Sequence, residues 1–305
     1  MTYFRSPLFV PFCLIILFLS APYSYGDFVE DSPPNLTYHD GALLTGTITV
    51  NFIWYGNFTE SQKSILTDFI VSLSDGSVKT EPSVASWWKT LNKYYSNTGI
   101  SFPTLTLGKQ ITDSSYSHGD SLNISDIPPI ASRGPQKNAI NVVVTSADVG
   151  VEGFCISRCG LHGSGPGSSM NRFTYIWFGN SSTQCPGQCA WPFSQTDDGP
   201  PTAPLLPPNG QAGTDGMVVN LASLLAGTCT NPFGDGYFQG EPETPLEAAT
   251  ACPGIYGKKA FPGYAGGLLL DPTNNASYNA HGVNGRLFLV PALYDLSMFG
   301  CATTV

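Results

Sequence analysis

The sequence predicts an α/β fold: one domain with a mixed sheet, flanking helices and long disulfide-anchored loops. Three observations carry this. Runs rich in β-branched and aromatic residues alternate with helically spaced segments. Hydrophobic residues make up 42% of the 305, enough to bury a core. No internal repeat divides the chain.

The elements follow in order. Residues 27–40 are polar and Pro-containing and read as an extended arm. Residues 45–55 (TGTITVNFIWY) read as a strong strand. Residues 59–74 place Ile65, Leu66, Phe69, Ile70 and Leu73 at helical spacing, with Thr59 as N-cap and Gln62 three residues on. A second helix opens at Ser83, its apolar stripe carrying Val84, Trp87, Trp88, Leu91 and Tyr95. Residues 102–111 form a strand, and 121–132 hold a short helix interrupted by Pro128 and Pro129. Residues 139–145 (AINVVVT) and 172–178 (RFTYIWF) are buried strands. Residues 185–213 are rich in Pro, Gly and Gln and form a long loop anchored by cysteines. Residues 215–228 form the third convincing helix. Beyond Asn231 and Pro232 come Gly- and Pro-rich loops, a short helix near 245–251 and a closing strand at 286–293. Trp54, Trp87, Trp88 and Trp177 fall on these elements and read as core.

The N-terminus reads as a signal peptide. Arg5 is followed by an apolar run over 9–19 and a small, polar stretch over 20–26, placing cleavage before Asp27. The run is too short for a membrane span, which needs about 20 apolar residues. The domain then occupies 27–305, with no later spanning segment. Five N-x-S/T sequons (Asn35, Asn57, Asn123, Asn180, Asn275) become glycosylation candidates in an exported chain.

Charged residues are only 11%, and the net charge is -9. That balance excludes nucleic acid, which needs basic patches, and argues against electrostatic docking on anionic lipid or acidic pectin.

Of eight cysteines, Cys13 leaves with the signal peptide and an odd number remains. Cys155/Cys159 and Cys185/Cys189 share a C-x3-C spacing. A zinc knuckle could use such pairs, but an oxidising compartment favours disulfides. Pairing across the two motifs would clamp the intervening loop. Cys252 and Cys301 are then natural partners. Cys229, in an Ala/Leu/Thr-rich segment that reads as buried helix, is the free thiol.

Catalytic motifs are sparse. The four histidines (His39, His118, His162, His281) include no H-E-x-x-H, and no G-x-S-x-G occurs. The Gly/Ser run over 163–169 lacks a P-loop lysine. His162 and His281 are the histidines in the most distinctive contexts. Asp235 and Glu241 sit in a Gly/aromatic loop that could present paired carboxylates for glycoside hydrolysis. Trp191, Tyr237 and Phe238 fall on loops and could stack on sugar rings.

Long motifs carry a resemblance. Residues 38–46 (YHDGALLTG), 50–56 (VNFIWYG), 82–88 (PSVASWW), 184–193 (QCPGQCAWPF), 230–234 (TNPFG), 251–254 (ACPG) and 278–286 (YNAHGVNGR) together span nearly all of the mature chain. The chain resembles the EXORDIUM-like, phosphate-induced protein family of plants. The resemblance implies an apoplastic, brassinosteroid-responsive protein linked to cell expansion. It supplies no catalytic residues and no cofactor. Where the family usually has an aliphatic residue this chain has Cys229. Some microbial relatives resemble zincins, with a His-Glu pair at positions that here read Ser223 and Leu224. Neither residue can bind zinc or act as a base, so a degenerate scaffold without metal is implied. Helical spacing puts Leu224 on the core-facing stripe with Val218, Leu221 and Leu225.

The leading expectation is therefore a secreted, non-enzymatic growth regulator with no cofactor. It would bind a cell-wall polysaccharide or a cell-surface protein through residues such as His162, Trp191, Tyr237 and His281. The alternative is a wall-modifying hydrolase using Asp235 and Glu241.

Overall fold

The structure is a computed structural model that describes residues 34–305 except 97, 157, 167–171, 197–202 and 242–243. The signal-peptide region and the first part of the arm lie outside the described residues. So does part of the Gly/Ser run.

Five strands build the sheet. Strand β1 (Thr47–Tyr55) leads into helix α1 (Glu60–Ser72), then α2 (Val84–Lys89) and strand β2 (Thr104–Asp113). Helix α3 (Ile127–Ala131) precedes β3 (Ala139–Thr145), β4 (Gly160–Pro166) and β5 (Arg172–Gly179). The single turn α4 (Pro186–Cys189) precedes the long helix α5 (Ala212–Thr230). The spatial order is β2-β1-β3-β5-β4; the first four strands are parallel and β4 is an antiparallel edge.

Alternation along the strands divides the sheet into two packed faces. Val50, Phe52 and Trp54 of β1, with Val142 and Ile176, face α1, α2 and α5. Ile53, Tyr55, Val143 and Trp177 face the other side, against α3, Phe154 and the cysteine loops. Helix α1 begins with the expected reciprocal cap. Gln62 N donates to Thr59 Oγ1 and Thr59 N to Gln62 Oε1, worth about 1 kcal/mol.

Several expectations need correction. Helix α2 ends at Lys89, and residues 90–94 continue as a 3₁₀ turn carrying Leu91 and Tyr94. Pro128 and Pro129 do not interrupt their helix. They occupy its first turn, where no amide donor is needed. The expected helix over 245–251 is a series of turns. The closing strand splits into Leu287–Phe288 and Leu293–Asp295, because Pro291 has no amide to donate and Asn279 takes over the backbone of Val290.

Strand β4 had no sequence signal, since a Gly-rich segment is a poor strand former. Its partner supplies the reason. Gly163 lies opposite Tyr175, and Gly165 opposite Phe173. A Cβ at 163 would sit 2.9 Å from the Tyr175 hydroxyl, and one at 165 would sit 2.7 Å from the Phe173 ring. The aromatic rings of β5 cover the glycines of β4.

Three disulfides tie the loops down: Cys155–Cys185, Cys159–Cys189 and Cys252–Cys301. The C-x3-C motifs thus cross-pair in parallel, and no zinc knuckle forms from them. Cys229 is a free, fully buried thiol on α5.

Candidate functional site

The edge strand and the end of α5 build an open cleft of about 440 Å³. Strand β4 contributes His162 and Ser164, and β5 contributes Arg172 and Tyr175. Helix α5 contributes Leu224, and the chain beyond it brings Asn231, Phe233 and Glu247.

A hydrogen-bonded triad forms the polar wall. His162 Nε2 lies 2.7 Å from Glu247 Oε2, and Asn231 Nδ2 donates to Glu247 Oε1 at 2.7 Å. Asn231 Oδ1 accepts from Gly236 N at 2.8 Å. Glu247 is 5% exposed and Asn231 2% exposed, so their polar groups need these partners. A carboxylate only accepts, so the His162 ring donates from Nε2. Its Nδ1 is buried without a partner among the described residues.

Helix α5 leaves room for this triad at one point. A Cβ on Gly227 would lie 2.5 Å from Glu247 Oε2 and 2.8 Å from His162 Nε2. A glycine in the last turns of a helix costs about 1 kcal/mol relative to alanine; here it admits the pair. Asn231 closes the helix as its C-cap.

At the cleft rim the Arg172 guanidinium donates to Ser164 Oγ. It lies 4.9 Å from the centroid of the Phe233 ring. Tyr175 is buried, and burial raises its hydroxyl pKa.

Chemically, the Glu247 carboxylate orients the His162 ring as in a catalytic dyad. Among the described residues, however, no hydroxyl or thiol is hydrogen-bonded to His162. Both carboxylate oxygens are occupied. The triad fixes the shape of a wall that can hydrogen-bond a ligand.

Of the sequence-predicted ligand contacts, only His162 belongs to this cleft. Tyr237 is 7% exposed, stacked on Tyr38 at 4.7 Å and edge-on to Tyr94 at 4.9 Å. It plugs the core beneath its loop and is removed from the candidates. Phe238 stacks on His39. His281 sits edge-on to Tyr278, its backbone bonded to Pro82, and lines no part of the cleft. Trp191 is half-buried against Tyr256, in a different groove. Asp235 and Glu241 are exposed and line no part of the cleft. The carboxylate that does so is Glu247, which stood among the acidic residues of the sequence without any local motif. Asn231, Gly227 and Arg172 also carried no signal by themselves.

Leu224 is half-buried. It packs against the core and also lines the cleft, so the core stripe describes it only in part. Among the described residues no cluster of three or more His, Cys, Asp or Glu could hold a metal. None of the helices described is long and apolar enough to cross a membrane. Asn35, Asn57, Asn123 and Asn275 are exposed. Asn180 is 3% exposed and its Oδ1 accepts from Ser182 N, so it is not presented to a glycosyltransferase in the folded chain.

The phosphate-induced protein 1 conserved region matches residues 36–304. The chain is 58% identical over 277 residues to the protein PHOSPHATE-INDUCED 1 of Nicotiana tabacum, covering 88% of each. It is 58% identical over 280 residues to the protein EXORDIUM of Arabidopsis thaliana, covering 88% of this chain and 89% of that one. EXORDIUM-like 6 of Arabidopsis thaliana is 30% identical over 300 residues. No solved structure matches. The chain belongs to the phosphate-induced, EXORDIUM-like family, as the motifs indicated.

Proposed function

We propose that this member of the family is a secreted glycoprotein of the plant apoplast that regulates cell expansion, in brassinosteroid-responsive growth, by binding rather than catalysis. Three disulfides fit an oxidising compartment. The observation that carries the binding reading is the closed triad. Glu247 accepts from both His162 and Asn231, and His162 Nδ1 is buried. Among the described residues no nucleophile is bonded to the ring, which supports a structural pair over a catalytic one. Ser223 and Leu224 stand where a zincin-like scaffold would need a ligand and a base. Neither side chain supplies an imidazole ligand for zinc or a general base.

The partner is a wall polysaccharide or a cell-surface protein. One preparation tests the reading with two readouts. Purified secreted protein is offered to soluble wall glycans and to intact wall material, and both retention and new reducing ends are measured. Retention without new ends is expected, with no stoichiometric zinc by elemental analysis. A hydrolase remains the second reading, favoured only by the His162–Glu247 pair. New reducing ends that vanish in Glu247→Gln would establish it and overturn the binding proposal.

A further inference from the structure

We infer that the face carrying Trp191 and the 258–264 hairpin is a second binding site, for an acidic polysaccharide. Its sugar rings would stack on the aromatic side chains and its carboxylates would meet Lys258 and Lys259. The inference rests on the reading of the protein as a wall binder, but the site shares no lining residue with the His162 cleft.

The site is a groove of about 470 Å³ between Trp191, Pro253, Ile255 and the hairpin residues Phe261 and Pro262. Among the described residues no acidic one lines it. Phe261 is 62% exposed and Tyr264 42% exposed. Their rings lie 5.1 Å apart. Exposed aromatic side chains grouped beside a groove are unusual on a monomer and mark interaction surfaces.

The hairpin holds these rings ready. Phe261 N donates to Tyr264 O at 3.1 Å, and Tyr264 N donates to Phe261 O at 2.8 Å. Pro262 and Gly263 make the turn, Gly263 at φ +86°. A second rung joins Gly267 N to Lys258 O at 2.9 Å. At the base the two backbones touch: a Cβ on Gly257 would lie 2.1 Å from Gly267 O. Trp191 is held 5.6 Å from the buried ring of Tyr256. Little backbone freedom is left to lose on binding, which favours affinity.

Charge selects the ligand. The chain has a net charge of -9, yet residues 258–264 (KKAFPGY) contain two lysines and no acid. Both lysines are exposed. Neither takes part in an ion pair among the described residues. A basic point on an acidic protein steers a ligand of opposite sign. A neutral glucan would use the rings and leave the lysines idle. A polyuronate uses both. The acidic composition argued against pectin-like partners for the protein as a whole; this face is the local exception.

The test is calorimetric titration of the full secreted protein with short oligogalacturonates, their methyl esters and cello-oligosaccharides. The free acid should bind, at least tenfold more tightly than the ester or the neutral sugar, and more weakly as salt rises. Lys258→Glu with Lys259→Glu should abolish the preference for the acid. Phe261→Ala should weaken binding about tenfold, the scale of a stacking anchor. All three positions are exposed, so folding should survive, and melting curves verify it. If Phe261→Ala misfolds, the lysine variant carries the test alone. Lys137→Ala, at an exposed lysine that lines neither groove, should leave acid binding unchanged. Absence of acid binding, equal binding of ester and acid, or an equal loss in Lys137→Ala and the lysine pair variant would overturn the inference. Capture of a protein on this face with no uronate bound would also overturn it.

Discussion

From Thr47 to Gly179 the chain lays down five strands of seven to ten residues, and backbone pairs with backbone. From Asn231 to Val305 the described residues contain no strand longer than three. Yet the second region is buried as deeply: Phe288, Val290, Leu293 and Tyr294 are all fully buried. Buried peptide groups must find partners in either case. In the sheet the ladder supplies them. In the C-terminal region short strand pairs and loop-to-loop backbone bonds supply part of them, and side chains supply others. Asn279, 1% exposed, donates to Tyr256 O and Val290 O and accepts from Val290 N. Burial therefore does not dictate regular structure. A few polar side chains can replace a ladder, and the stability of such a region is concentrated in them.

The largest effect should come from removing that hub. Asn279→Leu orphans two carbonyls and one amide, each costing roughly 1–3 kcal/mol, so about 5 kcal/mol in all. Secreted yield should collapse. A variant secreted at normal levels with a melting temperature within a few degrees of the parent would show that the hub is not what holds the region.

The next effect sharpens the contrast. Cys252–Cys301 closes a loop with a sequence separation of 49, for which chain entropy gives about 4 kcal/mol. Replacing both cysteines by serine should remove hydrogen-exchange protection from residues 252–301 first. Strands β1, β3 and β5 should keep theirs. Uniform loss across the molecule would mean that the two regions are one cooperative unit.

This contrast also explains what was legible in the sequence. Strands β1, β3 and β5 and helices α1 and α5 announced themselves by periodicity, and α1 by its cap. Regularity writes a repeating pattern into a sequence. The C-terminal region has none, because Asn279 serves peptides 11 and 23 residues away. Its closing strand was over-read as one piece for the same reason. The cleft was legible only at His162. Glu247 lies 85 residues from His162, and Asn231 lies 16 from Glu247. Only the fold brings them together. Gly227 is invisible without knowing what its missing side chain would strike.

A third, smaller effect lies where the two regions meet. Asp215, in the first turn of α5, accepts from Asn209 N at 3.0 Å and Asn209 Nδ2 at 2.7 Å. Arg286 in turn donates to Asn209 Oδ1. Burial pushes the Asp215 pKa up to about 6, against the pull of the Asn209 bonds. The folded state then takes up a proton before the unfolded state does. Stability should therefore rise as pH falls from 7 through 6 and level off near 4, by about 3 kcal/mol at 1.36 per unit. Burial raises the pKa values of Asp113 and Asp295, but the combined hydrogen bonds from Ser117, Arg133 and Ser115 to the first and from Lys93 and Ser297 to the second outweigh it and leave both lowered. Their contributions are lost only below the ordinary carboxylate range. The windows do not overlap, so Asp215→Asn should flatten the melting temperature between pH 4 and 7 and leave the acid limb intact. An unchanged slope would assign the effect elsewhere.

The smallest effect is expected at Cys229, within the regular core. Its side chain is fully buried on α5, and burial raises the thiol pKa, so the thiolate needed for reaction is scarce. Its polar contacts belong to its backbone: the carbonyl accepts from Tyr95 Oη at 2.8 Å and from Leu44 N at 3.1 Å. A valine keeps that carbonyl in place and adds only a small apolar volume. Cys229→Val should cost less than about 1.5 kcal/mol, the range for near-isosteric core exchanges. The native thiol should resist alkylation and label only on unfolding. A loss comparable to that of Asn279→Leu would mean that the core around α5 tolerates no added methyl, and that the regular region is the more tightly specified of the two. Rapid labelling of the native protein would show that α5 opens locally, and the contrast between a ladder-held core and a side-chain-held periphery would no longer stand.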